Sequence, residues 1–588
     1  MKKGASFIVT NVDKGSVFSK EQFTEEHKMF EEAVSEFGRD RILPVVKELN
    51  VFNTELTREI FSEMGELGFL AVDFPEEYGG LALDKVTTLI VAEKLMTGGS
   101  ASILVTVSDH TGIGTLPIIW YGSPTQKEKY LPKLASGEWM GSFALTESEA
   151  GSDALAGKMT ATLNKKGTHY ILNGTKIFVT NGSWSEVCVT FAKVDEKFTA
   201  FIIDKDCPGW VVGPEEHKLG IKGSSTCTFF FEDCKVPVEN VLGKVGQGAA
   251  IAFDVLYTGR YKLGATTMGG SKYVIDIAIE YALEREQFNH KITDFGMIRR
   301  KFADMVIKSW EADTVTYMTA GAIDEAMQEI PRSNKSYYKI LQKVIEDHGI
   351  EASISKIVGS EALAHNVDEG VQIFGGAGFI EDYAIAGMYR DERINRIFEG
   401  TSEINRLLIG GTLLKKAILE EIPIREMISE REENWIPKLD IAENDPLYKE
   451  AHIVEFSRTL LIQTLNELIL KFGQDLKNEQ WALEHLSNLV ISLAIMDSGL
   501  KRYFNLPNEY QHKDIVIDIL VASISYHSNN IQQCIKEIYN WIFDENDAQI
   551  KFSRIQNKME ELKYCPQTIS AKQRIADKLV QLKHYFLD

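Results

Sequence analysis

The stretch Phe143-Ala144-Leu145-Thr146-Glu147-Ser148-Glu149-Ala150-Gly151-Ser152-Asp153 marks a change in the pattern of apolar residues. Before it, from residue 20 to residue 140, apolar side chains recur at the three- and four-residue spacing of amphipathic helices. After it, from 141 to 240, short β-branched and aromatic runs alternate with Gly, Asp and Asn, as strands and turns do. The sequence therefore predicts a helical domain followed by a compact β domain.

Beyond the β domain the helical period returns. Residues 245–415 are predicted to form a helical bundle, and 447–588 an additional helical domain. Between them, the acidic stretch 421–446 begins and ends near prolines and has little apolar periodicity, which is typical of a linker. Inside the bundle, separate helical runs are predicted at 249–263, 272–285, 297–320 and 350–374.

Composition narrows the class of protein. The 588 residues carry 64 basic and 85 acidic side chains, a net charge of −21, which repels phosphate backbones, so no nucleic-acid partner is expected. The six cysteines have no CxxC spacing and are few for this length, so neither a disulfide framework nor a zinc site is expected. We expect these cysteines to be reduced and mostly buried.

The sequence predicts a cytoplasmic protein. Its first residues lack the apolar run of a secretory signal and the arginines of an organelle-targeting segment. The apolar stretch at 489–496 is far shorter than the roughly 20 residues that a membrane-spanning helix needs. Because the linker is acidic rather than basic and amphipathic, peripheral membrane association is not expected either.

Two glycine-rich segments, Gly243–Gly248 and Gly375–Gly378, fit neither the G-x-G-x-x-G nor the G-x-x-x-x-G-K-[ST] phosphate loop in its strand-to-helix context. A helix entry and a tight turn are the favoured interpretations. A dinucleotide, if one binds, must then be held by something other than a Rossmann crossover.

Three segments beyond the opening one carry residues suited to a flat cofactor or to acid–base chemistry. Lys176-Ile177-Phe178-Val179-Thr180-Asn181-Gly182 reads as a strand end with an aromatic and a hydroxyl two residues apart, hence on one face. Lys218 to Thr226 leads into another strand, and Arg396-Ile397-Phe398-Glu399-Gly400-Thr401-Ser402-Glu403-Ile404 places a carboxylate beside a glycine. Taken alone, Glu399 is more simply a loop carboxylate paired with Arg393 or Arg396.

These four segments, in this order and spacing, resemble those of the acyl-CoA dehydrogenase family, and the resemblance covers residues 23–414. Tyr257-Thr258-Gly259-Arg260 and the long C-terminal region are most similar to the very-long-chain branch. The resemblance implies a mainly helical protein with an N-terminal helical domain, a β-barrel-like middle domain, a C-terminal helical bundle and an extra C-terminal helical domain.

The resemblance also implies a site for FAD. Contacts to the flavin and its pyrophosphate are implied for four residues of the first segment, and contacts to the isoalloxazine ring for three of the second. A neighbouring subunit's FAD is implied to meet residues near 285 and 375, while the segment around Glu399 completes the site. In chain order these residues are Phe143, Leu145, Thr146, Ser152, Phe178, Val179, Thr180, Arg285, Gln287, Phe288, Gln372, Gly376, Thr401 and Glu403.

For the reaction, the resemblance implies that Glu399 removes the α-proton of an acyl-CoA while FAD accepts the β-hydride. Ser152, Tyr257, Arg260 and Gly400 are implied to line the acyl-CoA site. The implied product is a trans-2-enoyl-CoA, formed from a long-chain acyl-CoA in fatty acid β-oxidation. The implied electron acceptor is an electron-transfer flavoprotein. Some branches carry the base at the position of Gly259, which has no carboxylate here. A homodimer is expected, because the C-terminal domain covers a face that four-subunit relatives use.

Two residues depart from the family pattern. Ser148 stands where a proline follows the Thr-Glu pair, and Phe178 replaces a tryptophan, which keeps the ring face but loses the indole donor. Two other functions share most of these residues: an acyl-CoA oxidase that passes electrons to oxygen, and a non-catalytic assembly or binding protein on the same fold. Glu399 and the negative net charge oppose the second.

Overall fold

The structure, a computed structural model, describes residues 3–588, with only the backbone of Glu433. Its first part is helical. Most of these helices begin where a side-chain oxygen accepts a backbone N–H: Thr24, Asn53, Asp84, Ser100 and Ser123 each serve as N-cap. The helices are α1 (Glu25–Phe37), α2 (Val46–Leu49), α3 (Thr54–Glu66), α4 (Lys85–Lys94), α5 (Ala101–Asp109), α6 (Leu116–Tyr121) and α7 (Pro124–Ala135).

An eight-stranded sheet follows. Its strands are β1 (Gly141–Ala144), β2 (Thr160–Leu163), β3 (His169–Thr180), β4 (Val187–Val194), β5 (Lys197–Asp204), β6 (Trp210–Glu215), β7 (Thr226–Pro237) and β8 (Val241–Leu242). The order is β6-β7-β3-β2-β4-β5-β8, with β1 parallel to β4. The predicted runs at 168–172, 187–191, 198–203 and 226–231 lie within or overlap β3, β4, β5 and β7. Its interior is a separate cluster of buried apolar side chains, among them Leu172, Phe201 and Phe229.

A second helical part surrounds α8, a single helix from Gly248 to Glu284. The sequence predicted two runs here, broken near Gly264. That break was wrong, because the small residues serve close packing instead: a Cβ on Gly264 would lie 2.1 Å from Ser355 Oγ. The other elements are the hairpin β9 (Glu286–Gln287) and β10 (His290–Lys291), then α9 (Gly296–Met327), α10 (Tyr337–Asp347), α11 (Gly349–Phe374), α12 (Ala384–Glu392) and α13 (Ser402–Ile418).

The C-terminal part is helical and packs against α9 and α13. Segment 421–446, predicted as a linker, is partly helical and partly buried. It contains α14 (Ile424–Glu433), and the buried Arg431 donates to Glu455 Oε2 at 3.0 Å. The remaining helices are α15 (Tyr448–Phe472), α16 (Gln480–Phe504), α17 (Lys513–Ile542), α18 (Glu545–Glu561) and α19 (Thr568–Leu582).

This architecture confirms the predicted fold class: helices, a central sheet, helices again, and additional C-terminal helices. Over residues 3–588, no helix is long and apolar enough to cross a membrane. The cysteines are free thiols; three are buried, two are partly exposed and Cys565 is exposed.

Candidate active site

The turn that carries Glu399 has a fixed backbone. Glu399 and Gly400 both adopt positive φ angles, 58° and 78°, which a non-glycine residue such as Glu399 rarely does. Asn405, one turn into α13, donates its amide to the carbonyl oxygens of Gly400 at 2.8 Å and Thr401 at 3.0 Å. Thr401 caps α13 by accepting the N–H of Ile404. The helix start therefore holds the carboxylate in one place.

The Glu399 carboxylate lies directly against α8 at Gly259. A Cβ at that position would be 2.4 Å from Glu399 Oε2 and 2.7 Å from its Cδ, so the carboxylate occupies space that only glycine leaves open. Gly259 is the position at which some branches of the family carry their base, although this chain has no carboxylate there. In the structure the two positions meet in one spot, and Glu399 fills it.

Burial prepares this carboxylate for proton transfer. Glu399 Oε2 is sealed from solvent and has no hydrogen-bond partner among residues 3–588. Burial raises the pKa of Glu399 to about 7, while the positive charges of Arg260, Lys356 and Lys262 pull it down. Arg396, the partner that a simple loop carboxylate would use, binds Glu392 instead at 3.0 Å.

Arg260 and Tyr257, predicted at the acyl-CoA site, lie beside this turn on α8. The buried Arg260 donates from Nε to the Glu399 carbonyl oxygen at 3.3 Å. Its guanidinium lies 4.9 Å from the centre of the Tyr257 ring. Gly400 is close by, since a Cβ there would lie 3.8 Å from Arg260 Nη2. These residues form one cluster with Glu399.

A second cluster forms on the sheet, where the opening segment meets β3. The carbonyl oxygen of Thr146 accepts the Ile177 N–H at 2.9 Å. Lys176, fully buried, donates to the Leu145 carbonyl at 3.0 Å and binds Glu147 at 2.6 Å. These bonds bring the predicted flavin residues together: Phe143 in β1, Leu145, Thr146, Phe178, Val179 and Thr180, with Ser152 exposed in the turn beyond.

Phe178 stands in an irregular part of β3. The register with β7 shifts between Lys176 and Val179, and Phe178 has a positive φ of 57°. Phe178 is 63% exposed, Val179 is buried and Thr180 is half-buried. Because Phe178 lies within the bulge, the regular alternation of a strand does not apply to it, and the predicted shared face of Phe178 and Thr180 stays a prediction.

Asp109, at the end of α5, connects the two clusters. Asn181, directly after β3, donates its amide to Asp109 Oδ2 at 3.3 Å and to the Thr106 carbonyl at 3.0 Å. Burial and the neighbouring Glu399 charge raise the pKa of Asp109 well above its usual range. Asp109 was not among the predicted site residues; its one signal in the sequence is an acidic residue ending a helix of otherwise apolar and hydroxyl side chains.

The remaining predicted cofactor residues form a third, exposed group. The ends of α8 and α11 meet where the rings of Tyr281 and Phe374 stack 4.1 Å apart. This contact brings together Arg285, Gln287, Phe288, Gln372 and Gly376. Within the described chain, none of their recorded hydrogen bonds or ring contacts reaches Glu399 or β3. Glu403, also exposed, lies on the first turn of α13.

A shielded carboxylate with a near-neutral pKa, in the same domain assembly as a sheet that carries an exposed aromatic ring and hydroxyls, is a candidate site for proton transfer. Comparison with known proteins shows which family has this arrangement. Residues 24–138, 142–234 and 246–414 match the N-terminal, middle and C-terminal domains described for acyl-CoA dehydrogenases. The chain belongs to the acyl-CoA dehydrogenase family of FAD-dependent oxidoreductases.

Comparison with individual proteins indicates the same family. A probable acyl-CoA dehydrogenase of Bacillus subtilis is 40% identical over 504 residues, covering 85% of this chain and 84% of the relative. The rat mitochondrial very-long-chain specific acyl-CoA dehydrogenase is 34% identical, covering 74% of this chain and 68% of its own. The crystal structure of a Bacillus anthracis acyl-CoA dehydrogenase complexed with FAD matches with a TM-score of 0.95 and 37% identity over both whole chains. The predicted cofactor, FAD, is thereby confirmed.

Proposed function

We propose that the protein oxidises a fatty acyl-CoA to the trans-2-enoyl-CoA, with Glu399 as the base that removes the α-proton. The observation that carries this proposal is the Glu399 carboxylate pressed against Gly259, with Oε2 shielded and unpaired among residues 3–588. A base with a pKa of about 7 is half-ionised at neutral pH, which is the range in which general-base catalysis is most efficient.

The acidity of a thioester α-proton also depends on what stabilises the enolate-like charge on the carbonyl oxygen. The backbone N–H of Glu399 has no hydrogen-bond acceptor among the residues described. A free N–H on a turn fixed by Asn405 supports its role as a donor to the thioester oxygen. Gly400 beside it leaves room for the acyl chain to approach, and Arg260 and Tyr257 are proposed to line that approach.

Residues of the sheet and residues at the start of α13 are chemically suited to hold FAD. FAD, when bound, supplies the hydride acceptor. The exposed Phe178 ring and the nearby Thr180 hydroxyl suit a flat ring with polar edges, and we propose that they hold it together with Phe143, Leu145, Thr146, Ser152 and Val179. Thr401 and Glu403 at the start of α13 are proposed to complete this site.

The third group supports a homodimer. Its residues are exposed, including the Phe288 ring at 86%, so they are accessible to a second subunit. We propose that Arg285, Gln287, Phe288, Gln372 and Gly376 contact the FAD of a second subunit. The likeness to very-long-chain enzymes favours a long acyl chain, and family membership favours an electron-transfer flavoprotein as acceptor.

The decisive test of the base is Glu399→Gln. We expect this variant to purify yellow with bound FAD, yet to show no bleaching of the flavin when acyl-CoA is added without oxygen. Glu420→Gln is a matched control, because Glu420 is an exposed glutamate with a similar positive φ of 56°. Full bleaching of Glu399→Gln would remove Glu399 from the role. Measuring peroxide during turnover in air separates a dehydrogenase from an oxidase.

A further inference from the structure

Lys262 lies one helical turn beyond the catalytic cluster, on the same face of α8. The Glu399 carboxylate rests on Gly259, and residues three apart on a helix are neighbours on its surface, about 5–6 Å between Cβ positions. The charge of Lys262 acts on both the Glu399 and the Asp73 carboxylates and lowers the pKa of each. The residue is buried, although lysine seldom is.

The lysine is held in place by a hydrogen bond across to the segment after α5. Its ammonium donates to Thr111 Oγ1 at 2.9 Å. Burial lowers the pKa of Lys262 to about 8 despite the nearby Asp73 carboxylate. Nothing in the cluster around Glu399 depends on a hydrogen bond from this lysine, which acts on the carboxylate only through its charge.

A small cavity borders Lys262. Its volume of about 20 Å³ is close to the space that one water molecule occupies. Eight of its thirteen lining residues are apolar, among them Leu70, Val91 and Val107, and the polar ones are Asp73, Thr88, Ser108, Thr111 and Lys262. Most of its wall is therefore apolar surface that a hydrocarbon chain can contact.

We propose that Lys262 determines substrate specificity by filling the path between Glu399 and this apolar cavity, so that its side chain sets the longest acyl group that binds. The inference rests on the proposed function. An acyl chain whose α-carbon lies at Glu399 and which runs along α8 meets the lysine stem after one helical turn. Removing that stem joins the path to the cavity and gives the distal methylenes an apolar surface to bury.

The effect is measurable as a change in chain-length preference. Each further methylene buried in an apolar site raises kcat/KM by about fourfold. For the native protein we expect this gain to stop at the length at which the chain reaches Lys262. For Lys262→Ala we expect it to continue over roughly four further carbons, the space left by the three methylenes and the ammonium that alanine lacks.

The experiment compares kcat/KM across a series of straight-chain acyl-CoAs, with a dye as electron acceptor. Each variant is judged on its own ratios between chain lengths, because losing Lys262 also removes a charge near Glu399 and changes the absolute rate. Lys262→Met fills nearly the same space without the charge and is expected to keep the native profile. FAD absorbance and Tm report folding, and Lys262→Val replaces the alanine variant if that one does not retain FAD.

Two results would overturn the proposal: a native chain-length profile in Lys262→Ala or Lys262→Val with FAD bound, or a shift in Lys262→Met as large as that in Lys262→Ala. The first shows that the chain does not pass this lysine, and the second that its volume is not what stops the chain. Failure of the proposed function looks different, since no acyl-CoA of any length would then reduce the flavin of the native protein.

Discussion

Gly259→Ala tests the geometry of the base more sharply than any change to Glu399 itself, because it leaves the carboxylate in place and displaces it. The added methyl group would lie 2.4 Å from Oε2, 2.7 Å from Cδ and 2.9 Å from Oε1. Favourable contacts of carbon with heavy atoms begin near 3.5 Å, so the carboxylate must withdraw by about 1 Å. Asn405 and the cap at Thr401 hold the backbone, so the side chain must move rather than the turn.

A misplacement of about 1 Å at a reacting group lowers the rate roughly 100-fold, or about 2.7 kcal/mol of transition-state stabilisation. The fold should survive, because alanine is favoured over glycine inside a helix by about 1 kcal/mol, which offsets part of the local crowding. We therefore expect Gly259→Ala to bind FAD and to melt close to the native Tm, while flavin reduction by acyl-CoA slows by about two orders of magnitude.

The assay is anaerobic stopped-flow measurement of flavin bleaching at saturating acyl-CoA, with thermal unfolding measured in parallel. Gly411→Ala is the control, because Gly411 is also a helix glycine, in α13, and a Cβ there meets nothing within 4 Å. Native bleaching rates in Gly259→Ala would show that the carboxylate does not work from the position seen here. A large drop in Tm would instead indicate damage to the packing of α8.

Two further predictions concern charge. Since Glu399 must be ionised to accept a proton and burial raises its pKa to about 7, kcat/KM should rise with pH through that value and level off above it. Arg260→Met removes a charge that lowers this pKa, so it should move the midpoint of the profile to higher pH. A pH profile that does not move in this variant would contradict the assignment. Lys176→Met should lower Tm and weaken FAD binding, because it leaves the Glu147 carboxylate buried without its partner, and breaking a buried ion pair costs roughly 3 kcal/mol. Lys158→Met removes a lysine from an exposed ion pair and should leave both Tm and FAD binding unchanged.

Local pattern was sufficient to predict most of the fold. Strands β4 and β5 begin and end within a few residues of the predicted β-branched runs, because short apolar runs between turn residues have few other solutions. Two patterns were interpreted without the packing that explains them: the small residues near Gly264 and the acidic segment 421–446. Gly264 reads as a helix break but allows α8 to pack on α11, and the acidic segment at 421–446 buries Arg431 against Glu455. Both effects depend on a partner distant in sequence.

The residues of the candidate site also differ in how well the sequence alone predicts them. The role of Glu399 was predicted only through the resemblance of four separate segments to the family, because its turn alone reads as an ordinary loop carboxylate. Asp109 and Lys262 were not, since each acts through the place to which tertiary packing brings it: Asp109 against Asn181, 72 residues away, and Lys262 against Thr111, 151 residues away. A buried charge in a helix leaves only a weak signal in sequence, because an exposed charge on a helix is far more common.

The charges around Glu399 explain how the site keeps a base that is neither inert nor permanently ionised. Burial favours the protonated form of Glu399, whereas Arg260, Lys356 and Lys262 favour the ionised form, and the Glu399 charge in turn raises the pKa of Asp109 on α5. Lys356 is fully buried, and its ammonium has no hydrogen-bond partner in the described chain, so its charge acts on Glu399 through space and is not consumed in a local pair. Because these opposing effects arise from different elements, α8 and α11, the pKa of Glu399 depends on how those helices pack, and any substrate that excludes water from between them will raise it further.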